Sequence, residues 1–333
     1  MENNKNIIPE KSGSKYDLLL KIEDIIKKEY SNTEGIVISK DGEMIYEKYF
    51  GESNENQKTH IASVTKSILS ILIGIAIDKG FMEDENQKVM DFFKEYDFID
   101  KNEIRDKITI KDLLTMTVPY TFEEYMEPLE DFTRSEDWIR YALESIDGNG
   151  EKGKFKYSTM SAHLLSAILT KASGMSAKEF ANKYLFKPMD MEEINHNDTK
   201  EFSFDTLFGE KIEGWANDPM GISAGGFGLK LSTRDMAKIG ELYLNNGEYK
   251  GKRIVSEEWI DKTLKENQNG YGYMWYLIYN APIRMYCALG DGGNMICVIP
   301  DLNTVIAMTS SFMMNAKDRI GFVAEYILPA LSN

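Results

Sequence analysis

A serine and a lysine three residues apart open the most apolar helical stretch of this chain: His60-Ile61-Ala62-Ser63-Val64-Thr65-Lys66, then Ser67 through Asp78, with Gly80 as a stop. Residues i and i+3 share one face of a helix, so the Lys66 amine can reach the Ser63 hydroxyl. A serine hydroxyl is a weak nucleophile until a neighbouring base activates it. A helix N-terminus also favours developing negative charge. One segment thereby supplies a nucleophile, its activator and part of an oxyanion site. The same spacing also fits a capping serine followed by a solvated first-turn lysine. A second copy, Ser12-Gly13-Ser14-Lys15, has no apolar helix behind it and is read as chance.

Two further segments carry residues suited to the same chemistry. In Lys154-Phe155-Lys156-Tyr157-Ser158-Thr159, positive charge beside the tyrosine favours its phenolate, so Tyr157 could act as a base toward Ser63. The alternative is a half-buried tyrosine bonded to backbone. In Leu289-Gly290-Asp291-Gly292-Gly293-Asn294, glycines let the backbone pass close to a ligand and aim amides at it. The alternative is a plain hairpin turn.

The elements that must position these residues read as strands at both ends with a helical stretch between them, an α+β arrangement. Residues 1–13 read as a loose tail. A sheet lobe spans 14–83 and 225–333, a mainly helical lobe spans 84–224, and the site is expected between them. Ile36 to Lys40 and Met44 to Phe50 flank Asp41-Gly42 as a hairpin. Later strands are expected at Tyr271–Tyr279, Arg284–Leu289, Met295–Ile299 and Thr304–Thr309, and a last helix over about 316–328. The apolar helix after Ser63 is too short to span a bilayer. With 39 basic and 54 acidic residues the net charge is −15, which argues against a nucleic-acid or anionic-membrane partner. No leader or transmembrane segment is visible, and a cytoplasmic location is the expectation. Cys287 and Cys297 are equidistant from Gly292, so a simple antiparallel register sets them face to face; a disulfide is open to them, and two thiols are the expectation in a reducing compartment.

Other patterns fail on their own terms. Gly148 to Lys154 nearly spells a phosphate-binding loop, but Phe155 stands where the magnesium-binding hydroxyl belongs. Lys152 and Ser158 break a calcium-loop reading. His60, His163 and His196 lack metal-ligand spacing, so no metal or cofactor is expected.

Taken together, the Ser63, Tyr157 and Gly-rich elements resemble the serine β-lactamase and penicillin-binding-protein superfamily, in the class C-like branch of esterases, D-aminopeptidases and amide hydrolases. The likeness runs from about residue 33 to 328. It includes Ile108 to Thr117, Leu185 to Met191, and Gly225-Gly226-Phe227-Gly228-Leu229 leading into Ser232 to Lys238. It implies a β-lactamase-like antiparallel sheet flanked by helices, with an inserted mainly helical lobe. It implies Ser63 as acylated nucleophile, Lys66 as the group that holds and helps deprotonate it, and Tyr157 as proton relay to the leaving group. The backbone amides of Ser63 and Asn294 would form the oxyanion hole, with Thr159, Asp291, Gly292, Gly293 and Asn294 contacting substrate. The implied function is a serine hydrolase of a small-molecule ester or amide. The alternatives are a true β-lactamase or D-Ala peptidase, an acyltransferase, or a non-catalytic binder.

The chain departs from the family pattern twice. Thr159 replaces the asparagine of the Tyr-x-Asn element, and Asp291 stands where a lysine or histidine opens the third element. A cation there would hold a substrate carboxylate. An aspartate repels one unless it is protonated or paired with Arg284. Glu123 to Asp131 reads as a solvated loop, with added negative charge at the cleft mouth as the other reading. Neutral or amine-bearing esters and amides are therefore the expected substrates.

Overall fold

The Asp41-Gly42 hairpin sets the first two strands, β1 (Thr33–Lys40) and β2 (Glu43–Tyr49). Both turn residues have positive φ, 54° and 79°, as a two-residue hairpin turn requires. The computed structural model describes residues 14–123, 126–195, 214–279 and 283–331; the tail at 1–13 and His196 lie outside them. Two short pairs follow: β3 (Thr59–His60) with β4 (Lys230–Leu231), and β5 (Glu248–Tyr249) with β6 (Lys252–Arg253). The remaining strands are β7 (Tyr276–Ile278), β8 (Met285–Gly290), β9 (Asn294–Ile299) and β10 (Thr304–Ser310). They join the hairpin in one antiparallel six-stranded sheet of order β2-β1-β10-β9-β8-β7.

The helices are α1 (Ser14–Glu29), α2 (Val64–Asp78), α3 (Ile110–Leu114), α4 (Leu129–Arg134), α5 (Trp138–Glu144), α6 (Thr159–Ser173), α7 (Ala177–Ala181), α8 (Thr233–Leu244), α9 (Glu257–Thr263) and α10 (Arg319–Phe322). Every residue of β9 and β10 is buried, which is why both read as unbroken apolar runs. One sheet face carries Ile36, Ile38, Met295, Cys297 and Ile306, which pack with Ile22 and Ile26 of α1 and with Phe322 and Ile327 near the C-terminus. The opposite face, with Val37, Ile296, Val298, Val305 and Ala307, belongs to the large core around α2, α6 and α8. This is the fold expected: an antiparallel sheet flanked by helices.

Cys287 and Cys297 are register partners across β8 and β9, and both are buried thiols. The strand expected at Tyr271–Tyr279 is shorter, because Tyr271 is buried in the core and makes only isolated bridges, to Gln268 and Tyr276. The last helix starts at Arg319, where Asp318 caps it, and runs through a wider π-helical turn to Leu331. Among the described residues, no helix is long and apolar enough to cross a membrane.

Candidate active site

Ser63 stands at the N-cap of α2, but its side chain makes no capping bond. The preceding Ala62 is held at φ +47°, a left-handed conformation costing a non-glycine residue on the order of 1 kcal/mol. Its carbonyl accepts from Thr65 N (3.1 Å) and Thr65 Oγ1 (2.7 Å), which fixes that turn. The freed Ser63 hydroxyl accepts from Lys66 Nζ at 2.9 Å. Lys66 is not a solvated first-turn lysine: it is 1 % exposed, and its amine also donates to the Gly226 carbonyl at 2.9 Å. Burial pushes the Lys66 amine down to about 8; Glu127 and then Asp291 partly counter this by favouring the charged form.

Gly226 belongs to the Gly225–Leu229 run, and a Cβ on it would lie 2.6 Å from Thr159 Cγ2 and 3.1 Å from Lys66 Nζ. Glycine is thus what lets this backbone reach the amine. Gly225 packs on the backbone of Ala162 and His163, and His163 Nε2 lies 3.1 Å from Asp218 Oδ2, both side chains buried. His60 is no base toward Ser63. Its Nε2 accepts from Gly228 N at 2.8 Å, and burial, then Lys230, hold it down to about 4.

Tyr157 is half-buried just before α6, with the Lys66 ammonium 4.9 Å from its ring centroid. Hydroxyl, amine and phenol ring therefore share one crevice although the chain separates them widely. Thr159 opens α6 and is buried. Its amide donates to Glu127 Oε2 at 2.7 Å; Met160 N and Ser158 Oγ donate to Glu127 Oε1 at 2.8 and 3.0 Å. Glu127 is the residue that sequence reasoning passed over. Its loop is not simply solvated, because this carboxylate is half-buried on the first turn of α6. The only sequence signal was a carboxylate two residues before a helical run.

The Gly-rich element divides. Gly290 lies against the Ser63 turn: a Cβ there would come 2.3 Å from Ile61 O and 3.2 Å from Ser63 N. Asp291 is exposed and acts electrostatically on Lys66. Its proposed partner Arg284 pairs instead with Asp301, at 2.8 Å, so Arg284 does not neutralise it. Gly292 and Gly293 are tied to Asn32 and Arg319. The Gly292 carbonyl accepts from Asn32 Nδ2 (2.6 Å), and Gly293 packs on the buried Arg319 guanidinium. Asn294 is a clamp: Nδ2 donates to His60 O (3.3 Å) and Asp291 O (2.9 Å), and Oδ1 accepts from Ser310 N (3.0 Å). A cavity of 840 Å³ opens alongside, bordered by Ala62, Leu129, Lys230, Asp291 and Asn294. Among the described residues, no cluster of His, Cys, Asp or Glu could hold a metal ion.

Comparison with known proteins places this arrangement in context. Residues 29–323 match the family model described as Beta-lactamase. The 6-aminohexanoate-dimer hydrolase of Paenarthrobacter ureafaciens is 22 % identical over 246 residues, 70 % of this chain and 57 % of that protein, so the chain spans little more than half its length. Two solved structures share the fold. The octameric penicillin-binding protein homologue from Pyrococcus abyssi superposes with a TM-score of 0.71 at 21 % identity, over 96 % of this chain and 78 % of that one. EstCE1, described as a hydrolase with promiscuous acyltransferase activity, superposes with a TM-score of 0.73 at 14 % identity, over 96 % and 97 %.

Proposed function

The chain belongs to the beta-lactamase family, and from that premise we propose that it is a serine hydrolase cleaving an ester or small amide through an acyl-enzyme on Ser63. The observation that carries this reading is the buried Lys66 amine, 2.9 Å from the Ser63 hydroxyl and held down to about 8. At pH 7 roughly one amine in ten is then neutral, against fewer than one in a thousand for an ordinary lysine. The neutral amine accepts the Ser63 proton as Oγ attacks the carbonyl carbon, while the Gly226 carbonyl holds it in place. Tyr157, beside Lys66, passes that proton to the leaving alcohol or amine. The Ser63 amide at the start of α2, with the Asn294 amide, would receive the oxyanion. Water attack on the acyl group then frees Ser63.

The site lies, in this reading, between the sheet lobe (14–83 and 225–333) and the helical lobe (84–224). Glu127 and Asp291 make its surroundings acidic, which disfavours acyl groups bearing a carboxylate and favours neutral or amine-bearing ones. The acyltransferase reading keeps one point of support, the activity in the description of EstCE1: an alcohol or amine in place of water would complete that reaction.

The test is a panel of p-nitrophenyl esters, D-amino-acid amides and nitrocefin, with intact-mass detection of the adduct. Turnover of esters or amides with an acyl adduct on the wild type, absent in Ser63→Ala, is the expected result. Absence of a fluorophosphonate adduct on the wild type would leave a non-catalytic binder.

A further inference from the structure

Glu127 has no part in the acylation scheme above. It comes from the loop between Tyr120 and α4, and that loop is tied to the segment before α6 at two places. Lys156 Nζ donates to the carbonyls of Tyr120, at 2.6 Å, and of Phe122. Farther along, the Glu127 carboxylate takes three donors, Ser158 Oγ, Thr159 N and Met160 N, all within 3.0 Å. Ser158, buried, is also the α6 cap and accepts from Ser161 N at 3.2 Å. A carboxylate on the first turn of a fifteen-residue helix sits where the helix favours an anion. That turn begins two residues after Tyr157.

The same carboxylate favours the charged form of Lys66, more strongly than Asp291 does. The groups around that amine are Glu127 from the loop, Asp291 from the turn after β8, and the Tyr157 ring. Asp291 is exposed and screened by water, whereas Glu127 is half-buried and fixed by three bonds. The geometry points to Glu127 as a positioning residue of the acylation site: it locks the Tyr157–Thr159 segment in place and holds a fixed negative charge toward Lys66. This inference rests on the serine-hydrolase reading. Burial is the largest influence on that amine, and the Glu127 charge, working against it, raises the pH at which the site becomes competent. Removing the charge frees the amine at lower pH, while loosening the Tyr157 segment slows acylation at every pH.

The experiment measures the rate of fluorophosphonate labelling of Ser63 from pH 6 to pH 10, by intact mass. It uses the full chain and its Glu127→Gln and Glu127→Asp variants, with folding followed by circular dichroism. For Glu127→Gln the acid limb should move down by on the order of one pH unit. The variant-to-wild-type ratio of rates should then rise several-fold as pH falls from 9 to 6. Glu127→Asp keeps the charge one methylene farther back, and its midpoint should lie between the two. A ratio constant across pH, with or without a slower rate, overturns the proposal and leaves Glu127 a structural cap. Should Glu127→Gln not fold, the Glu127→Asp midpoint carries the test, and a value equal to wild type overturns the proposal. A wild type that does not label at all refutes the hydrolase reading instead, a different outcome from either of these.

Discussion

Replacing Gly290 with alanine tests whether β8 sets the position of Ser63. The added Cβ would lie 2.3 Å from Ile61 O, 3.2 Å from Ala62 Cβ and 3.2 Å from Ser63 N. Two of these three atoms are backbone, and the third is the stub of a residue already held at positive φ. No flexible side chain can swing away, so strand or turn must move. An ordinary C···O contact is roughly 3.3 Å, so the required displacement is about 1 Å. Overpacking of this kind costs about 1–3 kcal/mol in stability. A 1 Å misplacement of a reacting group costs about a hundredfold in rate. Gly290→Ala should therefore label with fluorophosphonate about a hundredfold more slowly while staying folded. The matching control is Gly74→Ala, whose Cβ would lie 2.2 Å from the Trp259 indole, in the core away from Ser63. It should lose stability by a similar amount and, once folded, keep its labelling rate to within a few-fold. Equal labelling by Gly290→Ala and wild type would refute the claim that this strand positions Ser63.

Three other outcomes follow from the same structure. The folded Lys66 amine binds its proton more weakly than the unfolded one, about 8 against 10.5, so its contribution to stability rises as pH climbs from about 8 to 10.5. Below pH 8 the full penalty is about 3 kcal/mol. Lys66→Met removes it together with two hydrogen bonds of about 1 kcal/mol each. Urea titration at pH 7 should show the inactive variant more stable by on the order of 1 kcal/mol, the gain shrinking at pH 9.5. The Cys297 sulfur beside it, together with burial, pushes the Cys287 thiol well up. A chromogenic thiol reagent at pH 8 should consequently find no reactive cysteine in the native protein and two in guanidinium. Arg319→Ala should cost about 2–3 kcal/mol in denaturant titration, because Asn32 Oδ1 loses its 2.9 Å donor and the Gly293 turn loses its backing.

Local patterns carried far in the sequence, and contacts between distant segments did not. Ser63 and Lys66 are legible because helical geometry alone brings i and i+3 together. The Asp41-Gly42 hairpin and the facing cysteines are legible because antiparallel register is a local rule. Helix α6 begins at Thr159 because Ser158 caps it. Tyr271 reads as strand from composition, but core packing turns it inward. Glu127, Gly226 and Gly290 gain meaning only from partners 31 or more positions away, Ser158 for the first, Lys66 and Ile61 for the others. Nothing in the spacing of a glutamate in an acidic loop marks it as the anion on another helix. Pairing with Arg284, one of the two exceptions weighed for Asp291, was beyond the sequence to decide for the same reason: Arg284 pairs with Asp301.

The order in which the sheet closes bears on how the protein must be made. β1 takes β10 as its inner neighbour, so the first strand of the chain waits for the last. Helix α2, buried along almost its whole length, leaves the ribosome more than two hundred residues before β10 does. At about 5–20 residues per second, that interval is on the order of ten to forty seconds. Throughout it, an oily rod and an open strand edge are exposed together, the two surfaces that nascent chains aggregate through. A chain cut short before Thr304 would keep its serine and lysine side by side in sequence and still have no inner wall for its first hairpin.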